Sequence, residues 1–403
     1  MDHAASDGYF SGPRHEALRA DVRNFALTHI TPLIAEMDRN GQVQHDLAWQ
    51  IAKRGWIGVT IGPEFGGMGA GHLAKTIILE ELSAVSAAAG AIAQASQLGV
   101  AKIVHYGTAA QQRKWLPLIA QGECLPTIAV TEEHSGGNVL DMAATAVRDG
   151  DDYILNGHKT FVGNSHVGDV HGVVVRTGPG SRGLTAFLVE STRPGFAQVP
   201  HPDSIALRGF SFGTITFDNC RVPMANVLGS EGDGLKVAYS SSLLYGRPNL
   251  TAVALGIHRS VHDVTSEFCR SQYRKDRPLY ELPTVKDKLG RIHSLWLTAR
   301  LAAYHAAHLL DSGVPCDAEL INAKVVNVEN LLQSIDLAMD IHGAPGLSGP
   351  RRMDRLWSDA QAMRPPAGTS GVQYLRLAEI TVGASREPWS AVHGQATRSH
   401  GTW

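Results

Sequence analysis

Residue types that carry out chemistry are common in this chain, but few fall into a catalytic spacing. The sequence has nineteen histidines without an H-E-x-x-H pair, and its four cysteines, Cys124, Cys220, Cys269 and Cys316, form no C-x-x-C pair. Zinc sites and dithiol motifs require such short, regular spacings. The pattern therefore predicts no metal site and no disulfide framework, and it favours free or buried thiols.

One helical stretch near the middle of the chain combines ionisable side chains with a helix-disrupting residue. It reads Tyr245-Gly246-Arg247-Pro248. Proline removes a backbone hydrogen bond, so we expect a kink beside Gly246 and Arg247. Arg247 could hold a polar group of a substrate there. A structural arginine bonded to helix carbonyls explains the residue nearly as well.

The apolar pattern divides the chain into three regions that would position these residues. Apolar residues recur every three or four positions up to about residue 122 and again from 232 to 383, whereas short alternating runs fill 125–228. We predict a helical domain over 1–123, an antiparallel β-domain over 124–231 and a four-helix bundle over 232–384. The polar segment 385–403 is expected to be a loosely held tail or an oligomer contact.

The composition limits the classes of partner. The 403 residues are 43% hydrophobic and 18% charged, which is enough for two or three packed subdomains. A net charge of −2 supplies no positive field for nucleic acid or anionic lipid. The first twenty residues lack the pattern of a secretory signal, and no segment is apolar enough to span a bilayer, so we expect a cytoplasmic protein.

Short motifs along nearly the whole chain resemble those of the acyl-CoA dehydrogenase superfamily. They are LG at 98–99, YGT at 106–108, WLP at 115–117, VTE at 130–132, LNGHK at 155–159, DNCRVP at 218–223, HGAPG at 342–346 and GTS at 368–370. The resemblance implies that family's α+β fold, an FAD cofactor and an acyl thioester substrate on coenzyme A or a carrier protein. It also implies a homodimer or homotetramer.

The resemblance also implies where FAD would bind. Thr131 would hold the pyrimidine edge of the flavin, Phe161 would form an apolar wall, and Arg274 would reach the pyrophosphate of a neighbouring subunit. Gly163 stands where the family has a hydrogen-bonding threonine, so we expect an altered flavin potential and room for oxygen or water. The positions implied to bind the cofactor are Val130, Thr131, Gly137, Phe161, Gly163, Arg274, Gly343, Gly368, Thr369 and Gln373.

The chain departs from the family at the catalytic base. The glutamate that removes the α-proton is replaced by Ala367, and the alternative position in a subgroup is Gly246, so simple α,β-desaturation should be severely weakened. Tyr245 and His342 are the nearest ionisable candidates, although packing explains each of them better. Arg247 and Gly246 are expected to contact the substrate.

Three functions remain open on these grounds. The first is a dehydrogenase or oxidase with a relocated base that acts on a thioester or on a related substrate of specialised metabolism. The second is a flavin monooxygenase or oxidase of the same fold, and the third is a flavin-free binding protein.

Overall fold

The N-terminal region forms six α-helices in the computed structural model, which describes residues 10–199, 203–348, 353–385, 387–397 and 403. The apolar residues of the fourth and fifth helices are buried on almost every side, which places both helices at the centre of the molecule. The helices are α1 (Pro13–Phe25), α2 (Ile34–Asn40), α3 (His45–Lys53), α4 (Gly71–Val85), α5 (Ala87–Tyr106) and α6 (Ala109–Ala120).

The middle region forms one eight-stranded sheet. Its strands are β1 (Pro126–Ala129), β2 (Thr145–Asp149), β3 (Asp152–Gly163), β4 (Val170–Arg176), β5 (Leu184–Glu190), β6 (Phe196–Val199), β7 (Phe212–Pro223) and β8 (Val227–Leu228). The strand order is β6-β7-β3-β2-β4-β5-β8, and β1 pairs with β4 in parallel. The expectation of a purely antiparallel sheet is therefore wrong, because β1 enters from α6 and runs alongside β4 rather than forming a hairpin with it.

The C-terminal region is again helical. Its helices are α7 (Gly234–Ser241), α8 (Arg247–Ser271), α9 (Pro283–Asp311), α10 (Asp317–His342), α11 (Ala344–Leu347), α12 (Asp354–Ala362) and α13 (Ser370–Thr381). Helices α8, α9 and α10 pack on one another, and α13 packs on α10. A π-helical turn, Ser242–Gly246, joins α7 to α8 without a break at the position of the predicted kink, and Pro248, which has no backbone N–H to donate, is the second residue of α8.

A buried ionic cluster joins the first helical region to the bundle. The Arg259 guanidinium on α8 donates to Glu80 and Glu81 on α4, and the Arg19 guanidinium on α1 donates to the same two carboxylates. The Tyr304 hydroxyl on α9 donates to Glu80. Removing one partner would leave a buried charge unpaired, so the cluster fixes the relative positions of four helices.

The final segment is held against the bundle. Asp317, at the start of α10, accepts hydrogen bonds from the backbone N–H groups of Trp389 and Ser390 in α14 (Trp389–His393), each at 2.9 Å. The Thr397 hydroxyl lies 2.8 Å from Nε2 of buried His72. The expectation of a loosely held tail is therefore wrong for its described residues, while residues 386 and 398–402 lie outside the described part. Within the described ranges, no helix is both long enough and apolar enough to cross a membrane.

Candidate functional site

A buried ion pair organises the loop that follows β1. Glu132 is only 1% exposed, and its carboxylate accepts hydrogen bonds from Lys159 Nζ at 2.6 Å and from the N–H groups of Ala143 and Ala144 at 2.7 and 3.0 Å. Burial opposes the charge, but these three donors hold the pKa of Glu132 below its usual value. Lys159 Nζ also donates to the Val130 carbonyl at 3.1 Å. The pair thus ties the loop to β3.

The same contacts bring Thr131 beside Phe161. The Thr131 carbonyl accepts a hydrogen bond from the Thr160 N–H at 2.9 Å, so the loop runs alongside the end of β3. Phe161 has a positive φ of 54°, and its ring is 54% exposed next to Phe212, with ring centroids 5.6 Å apart. The Thr131 hydroxyl has no hydrogen-bond partner among the described residues. An exposed aromatic face and a free hydroxyl therefore lie together at this edge of the sheet.

Gly163 does not open a cavity. A Cβ placed on Gly163 would lie 2.9 Å from Ala95 Cβ and 3.0 Å from the Phe210 ring. The expected room for oxygen or water beside this residue is therefore wrong, because Ala95 on α5 and Phe210 before β7 already occupy it. The absence of a side-chain hydrogen-bond donor at Gly163 stands, since glycine has no side chain.

Two buried side chains shape the loop that carries Ala367. Ala367 and Gly368 have φ angles of 55° and 90°, a left-handed conformation that costs an alanine roughly 1–2 kcal/mol. The amide nitrogen of Gln373 donates to both of their carbonyls, at 2.7 and 3.1 Å. Lys324 Nζ donates to the Gly368 carbonyl at 2.8 Å and to the Arg364 carbonyl at 3.1 Å. These bonds hold the loop in its strained conformation.

Gly246 and Ala367, the two positions at which family members carry the glutamate base, face each other. A Cβ on Gly246 would lie 3.6 Å from Ala367 Cβ and 3.6 Å from the Ser242 hydroxyl, an ordinary contact distance. The first carbon of a side chain at position 246 therefore fits without displacement. A side chain at position 246 would therefore touch Ala367, and neither position carries a carboxylate.

Arg247 follows Gly246 in the chain and is nearly buried. Its Nε donates to the Gln373 side-chain oxygen at 2.8 Å. Burial, together with the positive charge of Arg376, lowers the pKa of Arg247 to about 10, so the guanidinium is still charged at neutral pH. Gln373 thus links Arg247 to the Ala367 loop. The family resemblance implies that Gln373 contacts the cofactor. In the structure its amide nitrogen donates to the Ala367 and Gly368 carbonyls and its oxygen accepts from Arg247, so its amide is engaged by protein groups.

Lys324 was not identified from the sequence. It lies on the buried face of α10, four residues after Leu320 and four before Val328, where a lysine is unusual. Burial, reinforced by the charge of Arg247, lowers the pKa of Lys324 to about 8. The signal in the sequence is a charged residue on an apolar helical stripe.

The two candidate replacement bases have packing roles. Tyr245 is fully buried and shares a hydrogen bond of 2.8 Å with the Thr60 hydroxyl, while Lys75 Nζ lies 4.0 Å from its ring centroid. Burial raises the pKa of Tyr245, which makes its hydroxyl a poor base. The His342 ring stacks on Phe268 with centroids 4.1 Å apart. The contacts of both side chains are therefore with other buried groups, and they support neither Tyr245 nor His342 as a replacement for the missing base.

Other implied cofactor residues lie at the surface. Arg274 is exposed on a short hairpin formed by β9 (Tyr273–Arg274) and β10 (Arg277–Pro278), and Thr369 is exposed at the start of α13. Within the described residues, a Cβ on Gly137 or Gly343 would meet no atom within 4 Å. These positions are open to a ligand or to a second subunit.

Comparison with known proteins shows to which family the chain belongs. The acyl-CoA dehydrogenase N-terminal, middle and C-terminal domains match residues 12–123, 127–220 and 232–381. The chain is 30% identical over 371 residues to an acyl-CoA dehydrogenase of Bacillus subtilis, an alignment that covers 91% of this chain and 98% of the relative. The chain belongs to the acyl-CoA dehydrogenase family. Its fold class and its identity as an oxidoreductase of the acyl-CoA dehydrogenase type follow from that membership.

Solved acyl-CoA dehydrogenase structures share the whole architecture. Butyryl-CoA dehydrogenase from Megasphaera elsdenii superposes with a TM-score of 0.89 at 26% identity, covering 92% of this chain and 99% of that one. A prolyl acyl carrier protein oxidase gives a TM-score of 0.86 at 26% identity, covering 92% and 99%. A 3-(aryl)acrylate reductase of Clostridium sporogenes is 30% identical over 373 residues, covering 92% of this chain and 98% of the relative.

The residues of this chain fit the FAD that members of the family bind. The Thr131 and Thr369 hydroxyls have no hydrogen-bond partner in the part of the chain that the structure describes, and Phe161 presents an exposed ring. A bound isoalloxazine would cover that ring and use such hydroxyls. The donor set thus agrees with a flavin site.

Proposed function

We propose that this chain is an FAD-dependent oxidoreductase that acts on an acyl thioester without a glutamate base. The observation that carries the proposal is the 3.6 Å approach of a Cβ on Gly246 to Ala367 Cβ, two residues before Thr369. Both positions at which the family carries its base thus lie within contact distance of each other, and both lack a carboxylate. The usual proton acceptor is missing from each.

Four residues would hold the cofactor. Thr131 would donate to the flavin pyrimidine edge, Thr369 would provide a second hydroxyl contact, and Phe161 would cover one apolar edge. Arg274 would bind the pyrophosphate of FAD in a neighbouring subunit, for which its exposed planar guanidinium is suited. Bound FAD supplies a hydride acceptor. Because Arg274 would act across a subunit boundary, we propose a homodimer or a homotetramer.

The proton chemistry would differ from that of an ordinary acyl-CoA dehydrogenase. A positioned general base contributes roughly 10²–10⁴-fold to the rate, and alanine and glycine cannot accept a proton. Simple saturated thioesters should therefore react slowly. Gln373 and Lys324 keep the Ala367 loop in place, and Arg247 would contact the substrate.

The names of the relatives support a thioester but differ in the carrier. The Bacillus subtilis relative is an acyl-CoA dehydrogenase, and a solved neighbour is a prolyl acyl carrier protein oxidase. We therefore propose a substrate on coenzyme A or on a carrier protein, including a specialised metabolite. Pantetheine is the part that both carriers share.

A second candidate is oxygen-dependent chemistry, as an oxidase or a monooxygenase. It gains support from the missing base and from the carrier-protein oxidase among the neighbours. It loses one support at Gly163, where Ala95 and Phe210 fill the expected space. A flavin-free binding protein is the third possibility, and it requires that FAD fail to associate.

Cofactor binding followed by anaerobic reduction would separate these functions. Equilibrium dialysis against FAD comes first, with Arg274→Ala as a variant and free FAD as a blank. The loaded protein is then mixed without oxygen with a panel of acyl-CoA and acyl-pantetheine esters, and separately with NADH in air. We expect FAD to bind and thioesters to reduce it. Reduction only by NADH with oxygen consumption would favour the monooxygenase, and no FAD binding would leave the binding protein.

A further inference from the structure

Arg247 is a buried cation that forms no ion pair with any described residue. Its side chain is 8% exposed, and its one hydrogen bond to described protein groups runs from Nε to Gln373. Neither terminal amino group of the guanidinium has an acceptor in the described parts of the chain. A buried charge is costly unless it is paired, and an arginine fork has donors enough for a carboxylate to bind at two points.

The surroundings of Arg247 add positive charge. Lys324 lies close enough for Arg247 to lower its pKa, and Arg376 acts on Arg247 in the same sense. Asp317 has an opposing influence, but its oxygens accept from the backbone of Trp389 and Ser390. No carboxylate among the described residues forms an ion pair with the guanidinium.

The two positions that lack the base adjoin Arg247. Gly246 precedes Arg247 directly, and Ala367 is joined to it through Gln373, which accepts from Arg247 and donates to the Ala367 carbonyl at 2.7 Å. A glutamate at either position would supply an anion within this network. With glycine and alanine there, the network holds a positive charge and no anion.

We propose that the substrate supplies this anion, as a carboxylate on its acyl group that binds the terminal nitrogens of Arg247 beside Gly246 and Ala367. This inference rests on the proposed thioester function and names its substrate class. The carboxylate forms charge-assisted hydrogen bonds with the two terminal nitrogens of the guanidinium. A methyl group at the same place leaves the buried cation unpaired, so the site discriminates against neutral acyl chains.

Paired thioesters test this specificity. The probes are malonyl-, succinyl- and glutaryl-pantetheine, each compared with the ester in which a methyl group replaces the carboxylate: propionyl-, butyryl- and valeryl-pantetheine. Binding to FAD-loaded protein is measured by calorimetry and by the change in the flavin spectrum. At least one carboxylated ester should bind tenfold or more tightly than its partner, as expected for a hydrogen-bonded charge pair.

Three variants assign the effect. Arg247→Met should remove the preference, and its affinity for FAD, which Arg247 does not contact in this account, should stay unchanged and shows that the fold is intact. Gly246→Glu should remove the preference by supplying an internal anion. Arg376→Met is the matched control, because Arg376 is partly exposed and already paired with Glu379, and it should keep the preference.

The outcomes are distinct. Equal affinities within all three ester pairs, or a preference that survives Arg247→Met, would overturn the inference and leave the thioester function standing. If no ester of either kind binds to FAD-loaded protein, the thioester function fails, and the substrate inference falls with it.

Discussion

Replacement of Glu132 by glutamine should destabilise the loop that carries Thr131. Glutamine keeps the shape of the side chain, but it has one acceptor oxygen where the carboxylate serves Lys159, Ala143 and Ala144. Lys159, which is fully buried, would lose its partner anion. Breaking a buried pair in this way costs about 3–5 kcal/mol of unfolding free energy.

The pH dependence of this loss has a definite sign. Despite burial, the hydrogen bonds from Lys159 and the two backbone N–H groups lower the pKa of Glu132 in the folded state. The stabilisation is therefore fully present above the unfolded pKa, about 4.3, and disappears as the pH falls through the lower folded value. Wild type and Glu132→Gln should thus differ most near neutrality and converge in acid.

Urea unfolding and FAD titration measure the two consequences. The control is Asp340→Asn, which removes a pair with Lys288 that is 63% exposed on the aspartate side and should change stability by no more than about 1 kcal/mol. FAD affinity should fall in Glu132→Gln, because the position of Thr131 depends on the pair. If Glu132→Gln unfolds within about 1 kcal/mol of wild type at pH 7, the ion pair does not hold the loop as described.

Three further changes probe the rest of the site. Arg274→Ala should weaken FAD binding but leave the urea midpoint of the apoprotein unchanged, since Arg274 is exposed. If the variant binds FAD as tightly as wild type, Arg274 is not part of the cofactor site. The lowered pKa of Lys324, about 8 against 10.5 when unfolded, means that the unfolded chain binds more protons between those values, so wild-type stability should rise with pH there. If the stability of Lys324→Met rises with pH by the same amount, a group other than Lys324 causes the rise. Ala367→Gly should raise the unfolding free energy by about 1 kcal/mol by relieving the positive φ, and a loss of stability would show that the alanine is not strained.

The sequence predicts the order of elements well because that order depends on local periodicity. The buried positions of α8, among them Leu250, Val253, Ile257 and Val261, recur every three or four residues, and this spacing is visible without a structure. The alternation in the middle region likewise predicts strands. It does not reveal that β1 pairs in parallel with β4, because strand pairing depends on contacts between distant segments.

The candidate site was predictable where a motif fixes a position and unpredictable where distant side chains meet. The motifs located Gly246 and Ala367 separately, but only the fold shows that they face each other. The Lys324 bond to the Gly368 carbonyl spans 44 residues, and the contact of the final segment with Asp317 spans 72 or more. The filling of the space beside Gly163 also depends on residues from two other segments.

The central claim is that the chain acts on acyl thioesters although both positions of the base are occupied by residues without a carboxylate, and anaerobic flavin reduction tests it most directly. FAD-loaded wild type and Gly246→Glu are mixed with butyryl-CoA in a stopped-flow instrument, and flavin bleaching is followed. Gly246→Glu is chosen because a Cβ at that position meets no atom closer than 3.6 Å. The account predicts slow bleaching in wild type and a rate roughly 10²–10⁴-fold higher in the variant. Rapid bleaching of the wild-type flavin, matched by the variant, would show that another base is present and would contradict the account.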